Sequence, residues 1–320
     1  MLKIVIIVLL SVIGLLTLGI LGVFINHRVQ LNQEQDMYTA PGDLVEVNGH
    51  LIHIYQEGQG EQTLVFLSGH GTSAPMLDFK PLWSKFVDDY RIVVVERPGY
   101  GYSDITDEPR DIATLLEETK AALEQAGEHG PYTLFAHSMS GLEAIYWAQT
   151  YPEEVQAIIG LDPLLPEAVD LLTNVPESQL QMAGFMSRIG LSRLMPISEL
   201  EQTIPLLGLD SLSEEEKDEY MALFYKKSMS KNMIEEFSYL DENAQTVLEE
   251  GVPTNTPMYF FISSEQDASV TGWKDTLETY IASLFRGQSS LLSTGHYVHY
   301  ESSQFIADEV KDFLNSLPEN

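Results

Sequence analysis

A chain of 320 residues, 44% apolar and 10% aromatic, is long enough for one large α/β domain carrying an insertion or for two small domains, and its composition argues against disorder. A formal net charge of −31 argues against a nucleic-acid partner, and against close apposition of the folded domain to anionic lipid. With no cysteine, disulfides, thiolate catalysis and cysteine-ligated metal are all excluded.

The first element is an uncharged run of 22 residues, Ile4 to Ile25. As a helix it would extend about 33 Å, close to the hydrocarbon thickness of a bilayer. A cleaved signal peptide has a shorter apolar region, ~7–15 residues, followed by a small-x-small site. The expectation is therefore an uncleaved single-pass anchor over residues 1–28, with the lipid bilayer as its partner. Lys3 and Arg28 flank the run, so the positive-inside count barely decides orientation. Beyond residue 28 lie 15 basic and 48 acidic side chains, which suits a short cytoplasmic tail and an extracytoplasmic domain at the cell membrane. Residues 29–40 are polar and unpatterned and read as a tether.

From residue 41 the pattern turns to strands. Leu44–Val47 and Leu51–Tyr55 flank Asn48-Gly49, a strong hairpin signal. Leu64–Leu67 is a short buried strand ending in Ser68-Gly-His-Gly-Thr-Ser73. Ile92–Val95 is the next, running into Glu96-Arg-Pro-Gly-Tyr-Gly-Tyr-Ser103, and a helix over about 111–125 follows. Tyr132–Ala136 reads as a buried strand, Gly141–Gln149 as a helix, and between them Ser138 sits on a very tight turn. Val155–Leu161 is another strand, ending at Asp162-Pro163. Residues 163–252 show no strand pattern, with helices expected near 177–194, 213–228 and 231–249; Ser213-Glu-Glu-Glu216 fits a capping box. Met258–Ile262 and Leu291-Leu292 read as strands of a second half, 253–320, closed by a helix from Gln304 to Leu314. Apolar strands alternating with amphipathic helices imply an α/β fold, a mostly parallel sheet covered on both faces. Chemistry in such sheets gathers beyond the carboxyl ends of the strands, where His70, Arg97 and Ser138 all fall.

Four motifs together resemble those of the α/β-hydrolases, specifically the lid-bearing group of esterases, lipases and related acyl hydrolases. Ala136-His-Ser-Met-Ser-Gly141 resembles the G-x-S-x-G nucleophile elbow, with both glycines replaced. Glu96–Ser103 resembles the family's D-x-P-G-x-G-x-S loop, with Glu in place of Asp. Leu67–Ser73 resembles its oxyanion loop, with Ser68 in the usual histidine position, and Gly295-His-Tyr-Val-His-Tyr-Glu301 resembles the segment carrying its catalytic histidine. The similarity covers residues 41–162 and 253–320. It implies an α/β-hydrolase fold with 163–252 as a helical lid over the active site.

The resemblance also implies roles. Ser138 is the expected nucleophile, His296 the base, and Asp267, on the loop after Met258–Ile262, the acid; Asp162, after the preceding strand, is the alternative acid. The order Ser…Asp…His along the chain is that of the family. Chemically, a serine hydroxyl needs a base to take its proton as it attacks, and a buried carboxylate to fix the tautomer of that base. Backbone N–H groups of His70 and Met139 are the expected oxyanion donors. His137, Met182 and Met186 are candidate pocket residues; six methionines in the insertion, these two included, suit a variable apolar substrate or ordinary core filling equally. His299 reads as a packed neighbour, Arg97 as a loop clamp, and His50, His53 and His129 as surface or edge residues. No cofactor and no metal is implied. The leading expectation is a membrane-anchored serine hydrolase cleaving a small-molecule ester or acyl substrate. Peptidase or carbon–carbon hydrolase activity on the same three side chains, or a non-catalytic ligand-binding homologue, are the alternatives.

Overall fold

The structure, a computed structural model, describes residues 1–172 and 175–318. Its centre is an eight-stranded sheet: β1 (Asp43–Val47), β2 (His50–Glu57), β3 (Thr63–Leu67), β4 (Arg91–Glu96), β5 (Tyr132–His137), β6 (Val155–Leu161), β7 (Met258–Ser263) and β8 (Gly287–Leu292). The strand order is β1-β2-β4-β3-β5-β6-β7-β8. β1 and β2 form the hairpin expected at Asn48-Gly49, whose φ angles of 51° and 81° are the left-handed pair such a turn requires. The hairpin and the β2–β4 pairing are antiparallel, and the remaining five pairings are parallel.

β3, β5 and β7 are buried along their whole length, as strands covered on both faces must be. One face packs under helices Ile112–Gln125, Ser140–Thr150 and Trp273–Ala282; the other packs under Lys80–Trp83 and Ser303–Ser316. β8 is longer than its Leu291-Leu292 signal because it is an edge: Gly287-Gln-Ser-Ser290 pairs with β7 through its backbone and a 2.8 Å bond between Ser290 Oγ and Tyr259 Oη, and leaves Gln288 and Ser289 exposed.

The segment between β6 and β7 is helical, as expected. Its α-helices are Glu177–Arg188, Ile197–Thr203, Glu214–Lys227, Lys231–Ser238 and Leu240–Glu250. The capping box is present: Glu216 N–H donates to Ser213 Oγ at 3.3 Å, and Ser213 N–H to Glu216 Oε2 at 2.9 Å.

The N-terminal helix, Leu2–Met37, corrects the tether expectation. It continues twelve residues beyond Ile25, and its polar end packs on the insertion. Arg193 reaches it with two bonds to Glu34, one of 2.7 Å, and a 2.9 Å bond to His27 Nδ1. A polar stretch reads as a linker when its partners lie 160 residues away. Its apolar part behaves as composition predicts: the best 18-residue window has a mean hydropathy of 3.1 and none of it is buried.

Candidate active site

The carboxyl rim of β5 and β6 is the most constrained backbone in the molecule. Ser138 (φ 53°) and Asp162 (φ 48°) are two of only four non-glycine residues with positive φ among those described. Because His137 pairs with Leu161 across β5 and β6, Ser138 and Asp162 leave adjacent strands side by side. The two exits are tied together, with Ser138 N–H donating to Leu161 O at 3.4 Å and Leu164 N–H to Ser138 O at 2.8 Å. Strain held at two neighbouring residues is a signature of a functional site.

The elbow manages without its usual glycines. Ala136 is fully buried in β5. Ser140 Oγ lies 2.7 Å from Leu67 O and 2.9 Å from His137 O, so its proton pins the elbow to the end of β3. The position that tolerates no side chain has moved to Gly141, where a Cβ would come within 2.5 Å of Leu164 O.

His296 lies just past β8, and its ring is 4.8 Å from that of His137, the residue before Ser138. His296 Nδ1 is 2.6 Å from Asp162 Oδ2. The other oxygen of Asp162 accepts from Ser263 N–H at 2.9 Å and Trp273 Nε1–H at 2.8 Å. The carboxylate is wholly buried and three times hydrogen-bonded, whereas the imidazole is a quarter exposed. This corrects the acid assignment. Asp267 sits in the helix Ser264–Ser269 and accepts from Lys274 N–H at 3.0 Å, away from His296. With Nδ1 held by Asp162, Nε2 of His296 has no protein partner among the described residues.

The oxyanion loop is fixed from beneath. Arg97 donates to Ser68 O at 2.8 Å and to Glu143 Oε2 at 3.2 Å, and lies 3.6 Å from Glu236 Oε2. Tyr100 Oη donates to the same Glu236 oxygen at 2.6 Å. Burial alone would push Arg97 down, but Glu236, Tyr100 and Glu143 hold it above its ordinary value, so it stays charged. Arg97 is thus the loop clamp the sequence suggested. Glu236 went unnoticed, because a glutamate on a helix of the insertion looks like solvated surface. The loop passes close to the elbow: a Cβ on Gly69 would meet Ser138 Cβ at 2.9 Å and His137 Nδ1 at 2.8 Å. Among the described residues the His70 and Met139 N–H groups have no acceptor.

His137 does not line a pocket. It is buried between His296, Tyr297 and His299, with Nε2 3.3 Å from His296 O. Burial, then the neighbouring His296 and His299, push its pKa well below the ordinary value, so it remains a neutral support beneath His296. His299 is a packed neighbour, as expected; its Nε2 is 3.2 Å from the buried carboxylate of Asp78, which also accepts from Tyr300 and Tyr220. His53, read as an edge residue, is fully buried, with Nδ1 2.8 Å from Glu96. Glu96 also accepts from the N–H groups of Tyr102 and Met76, so the longer acid in the Asp position organises its whole loop.

A cavity of about 480 Å³ opens between this rim and the insertion. His70 and Tyr297 bring it to the oxyanion loop and the histidine loop; Met186, Met195, Ile204 and Phe224 line it from the insertion. Its size is that of a small-molecule site. Met186 lines it as expected, but Met182 does not and is largely exposed. A larger cleft, about 540 Å³, involves Glu117, Lys120, Pro131 and Glu154 at the amino ends of β5 and β6, remote from Ser138. No group of three or more acids and histidines among the described residues is arranged to hold a metal.

The comparisons with known proteins agree with this architecture. The family model described as "alpha/beta hydrolase fold" matches residues 62–238. The uncharacterized protein YbdG of Bacillus subtilis is 38% identical over 258 residues, covering 80% of this chain and 79% of its own. Among solved structures, an epoxide hydrolase from Bacillus megaterium superposes with a TM-score of 0.64 at 20% identity, covering 86% of this chain and all of its own. An esterase from Exiguobacterium antarcticum gives 0.61 at 15%, with the same coverages. At such identities these two speak for the fold alone, whereas the family match spans more than half the chain, and the chain belongs to the alpha/beta hydrolase family.

Proposed function

We propose that this protein is a membrane-anchored serine hydrolase that cleaves carboxylic esters through an acyl-enzyme. The observation that carries the reading is the 2.6 Å bond from His296 Nδ1 to Asp162, on the same rim as a strained Ser138. In this reading Ser138 Oγ attacks the ester carbonyl carbon while His296 Nε2 takes its proton. Asp162 holds the tautomer that leaves Nε2 free to accept and stabilises the imidazolium. The carbonyl oxygen becomes an oxyanion facing the His70 and Met139 N–H groups; loss of one such donor costs about 2.7–4 kcal/mol in related chemistry. Collapse of the tetrahedral intermediate breaks the carbon–oxygen bond to the alcohol, which leaves with the proton from His296. Water, deprotonated by the same imidazole, then releases the acid and restores Ser138.

Two further features support the reading. A serine nucleophile forms an acyl-enzyme that water resolves, whereas family members acting on epoxides or haloalkanes carry Asp at the elbow. The cavity beside the rim, with the insertion as its lid, is lined mostly by methionine, aliphatic and aromatic side chains and suits an acyl chain. The N-terminal helix supplies the anchor by length and hydropathy.

The test is a fluorophosphonate probe on the purified full-length chain, with p-nitrophenyl esters of increasing acyl length. Labelling and hydrolysis are expected, both lost in Ser138→Ala. A folded protein that neither labels nor hydrolyses any of the esters would instead be a binding protein on the same scaffold.

A further inference from the structure

We infer that the outer face of the insertion, from Met182 to Ile197, lies on the bilayer surface, so that the cavity opens toward lipid. The inference rests on the anchored reading of the N-terminal helix and goes beyond it. Five side chains on this stretch are exposed although apolar: Met182 (58%), Phe185 (52%), Met186 (44%), Leu194 (64%) and Ile197 (61%). Large apolar groups gathered on one surface mark an interaction site.

Position along the anchor identifies the partner. Gly190 packs on His27 so closely that a Cβ there would come within 2.4 Å of the His27 Cβ. Arg193 spans His27 and Glu34. His27 lies two residues past Ile25, about 3 Å along the helix axis from the end of the apolar run, and Glu34 about 13 Å. The headgroup zone is about 5–8 Å deep on each side of the hydrocarbon core. Gly190, against His27, therefore sits at the level where amphipathic segments bury their apolar side chains in a membrane, and Arg193 reaches from there toward Glu34 above it.

Charge agrees. Of 48 acidic residues in the chain, none falls between Ser178 and Ser198, while Arg188 and Arg193 do. The acidity that dominates the domain as a whole is absent from this stretch. The same stretch is the outer wall of the cavity, through Ala183, Met186, Leu191 and Met195. An acyl chain leaving the bilayer would meet these residues before any other part of the protein.

The absence of native cysteine makes a depth measurement direct. Single variants Leu15→Cys, Phe185→Cys, Leu194→Cys and Asp308→Cys, each in the full-length chain, are labelled with an environment-sensitive fluorophore. They are then reconstituted into phosphatidylcholine vesicles with or without acyl-brominated lipid. Labels at 185 and 194 are expected to shift to the blue and to be quenched by bromine, as at 15, while the label at 308 stays aqueous. If 15 is quenched but 185 and 194 behave like 308, the inference falls and the anchor stands. If 15 is not quenched, both fall.

Discussion

Asp162→Asn separates chemistry from folding better than any other substitution in the site. Asp162 Oδ1 accepts two bonds, from Ser263 N–H and Trp273 Nε1–H, so the carboxamide must keep its oxygen there. Its NH2 then replaces Oδ2 and faces His296 Nδ1, which must become an acceptor. The imidazole proton moves to Nε2, which in the proposed mechanism can then no longer take the hydroxyl proton of Ser138. The equivalent change in serine proteases lowers kcat about 10⁴-fold through the wrong tautomer, roughly 5.4 kcal/mol of barrier. Folding should be nearly untouched: asparagine tolerates the left-handed backbone at φ 48°, and both retained bonds are intact. The assay is kcat/KM on a p-nitrophenyl ester, with a thermal melt of each variant. Asp267→Asn is the control and should change activity by no more than about two- to threefold, the span of ~0.5 kcal/mol. If Asp267→Asn proves the inactive variant while Asp162→Asn keeps its rate, the assignment of the acid is wrong.

Arg97→Met removes the cation from a buried network that includes Glu143 and Glu236; leaving those carboxylates unpaired should cost about 3–5 kcal/mol in urea denaturation and, on the proposed function, lower the rate on the p-nitrophenyl ester by freeing Ser68 O. Gly141→Ala drives a Cβ against Leu164 O and should destabilise by about 1–3 kcal/mol, with loss of activity because that segment carries Asp162; an unchanged melt would show that the elbow has room to spare. The His53–Glu96 pair gives a pH signature. Burial pushes His53 down but Glu96, with the Pro41 carbonyl and Glu219, raises it overall, so its contribution to stability is full below the ordinary value of 6.5 and is lost as pH rises through the raised one. Burial likewise raises Glu96, but His53, with the N–H groups of Tyr102 and Met76, lowers it overall, so its contribution is full above 4.5 and is lost as pH falls below that. The difference in melting temperature between the native chain and His53→Gln should be widest between about pH 4.5 and 6.5 and shrink on either side; a constant gap would remove the ion pair from the explanation.

What the sequence made legible follows from distance along the chain. Strands and their order come from apolar runs a few residues long, and the elbow from one hexapeptide, so both could be read locally. Residues 29–37 could not: their polarity is that of a linker, and only Arg193 supplies the partner that makes Glu34 structural. Glu236 and Asp78 escaped for the same reason. A buried carboxylate is indistinguishable in sequence from a surface one until its donors, Tyr100 and Arg97 in one case and Tyr300 in the other, are brought to it by the fold.

The acid was ambiguous for a geometric reason that the sheet makes plain. β6 and β7 are parallel neighbours with Leu161 beside Phe261, so the segments just past the two strands leave the sheet side by side. Asp162 N–H donates to Phe261 O at 2.8 Å, and Asp162 Oδ1 accepts from Ser263 N–H; the side chain after β6 thus reaches across the end of β7. Ser263 Oγ caps the helix Ser264–Ser269, on which Asp267 accepts from Lys274 N–H instead. The two arrangements exclude each other, because one buried space beside Nδ1 admits one carboxylate. A sequence can supply an acid at both strand ends; the left-handed backbone at Asp162, paired with that of Ser138 on the next strand, marks the one that meets His296.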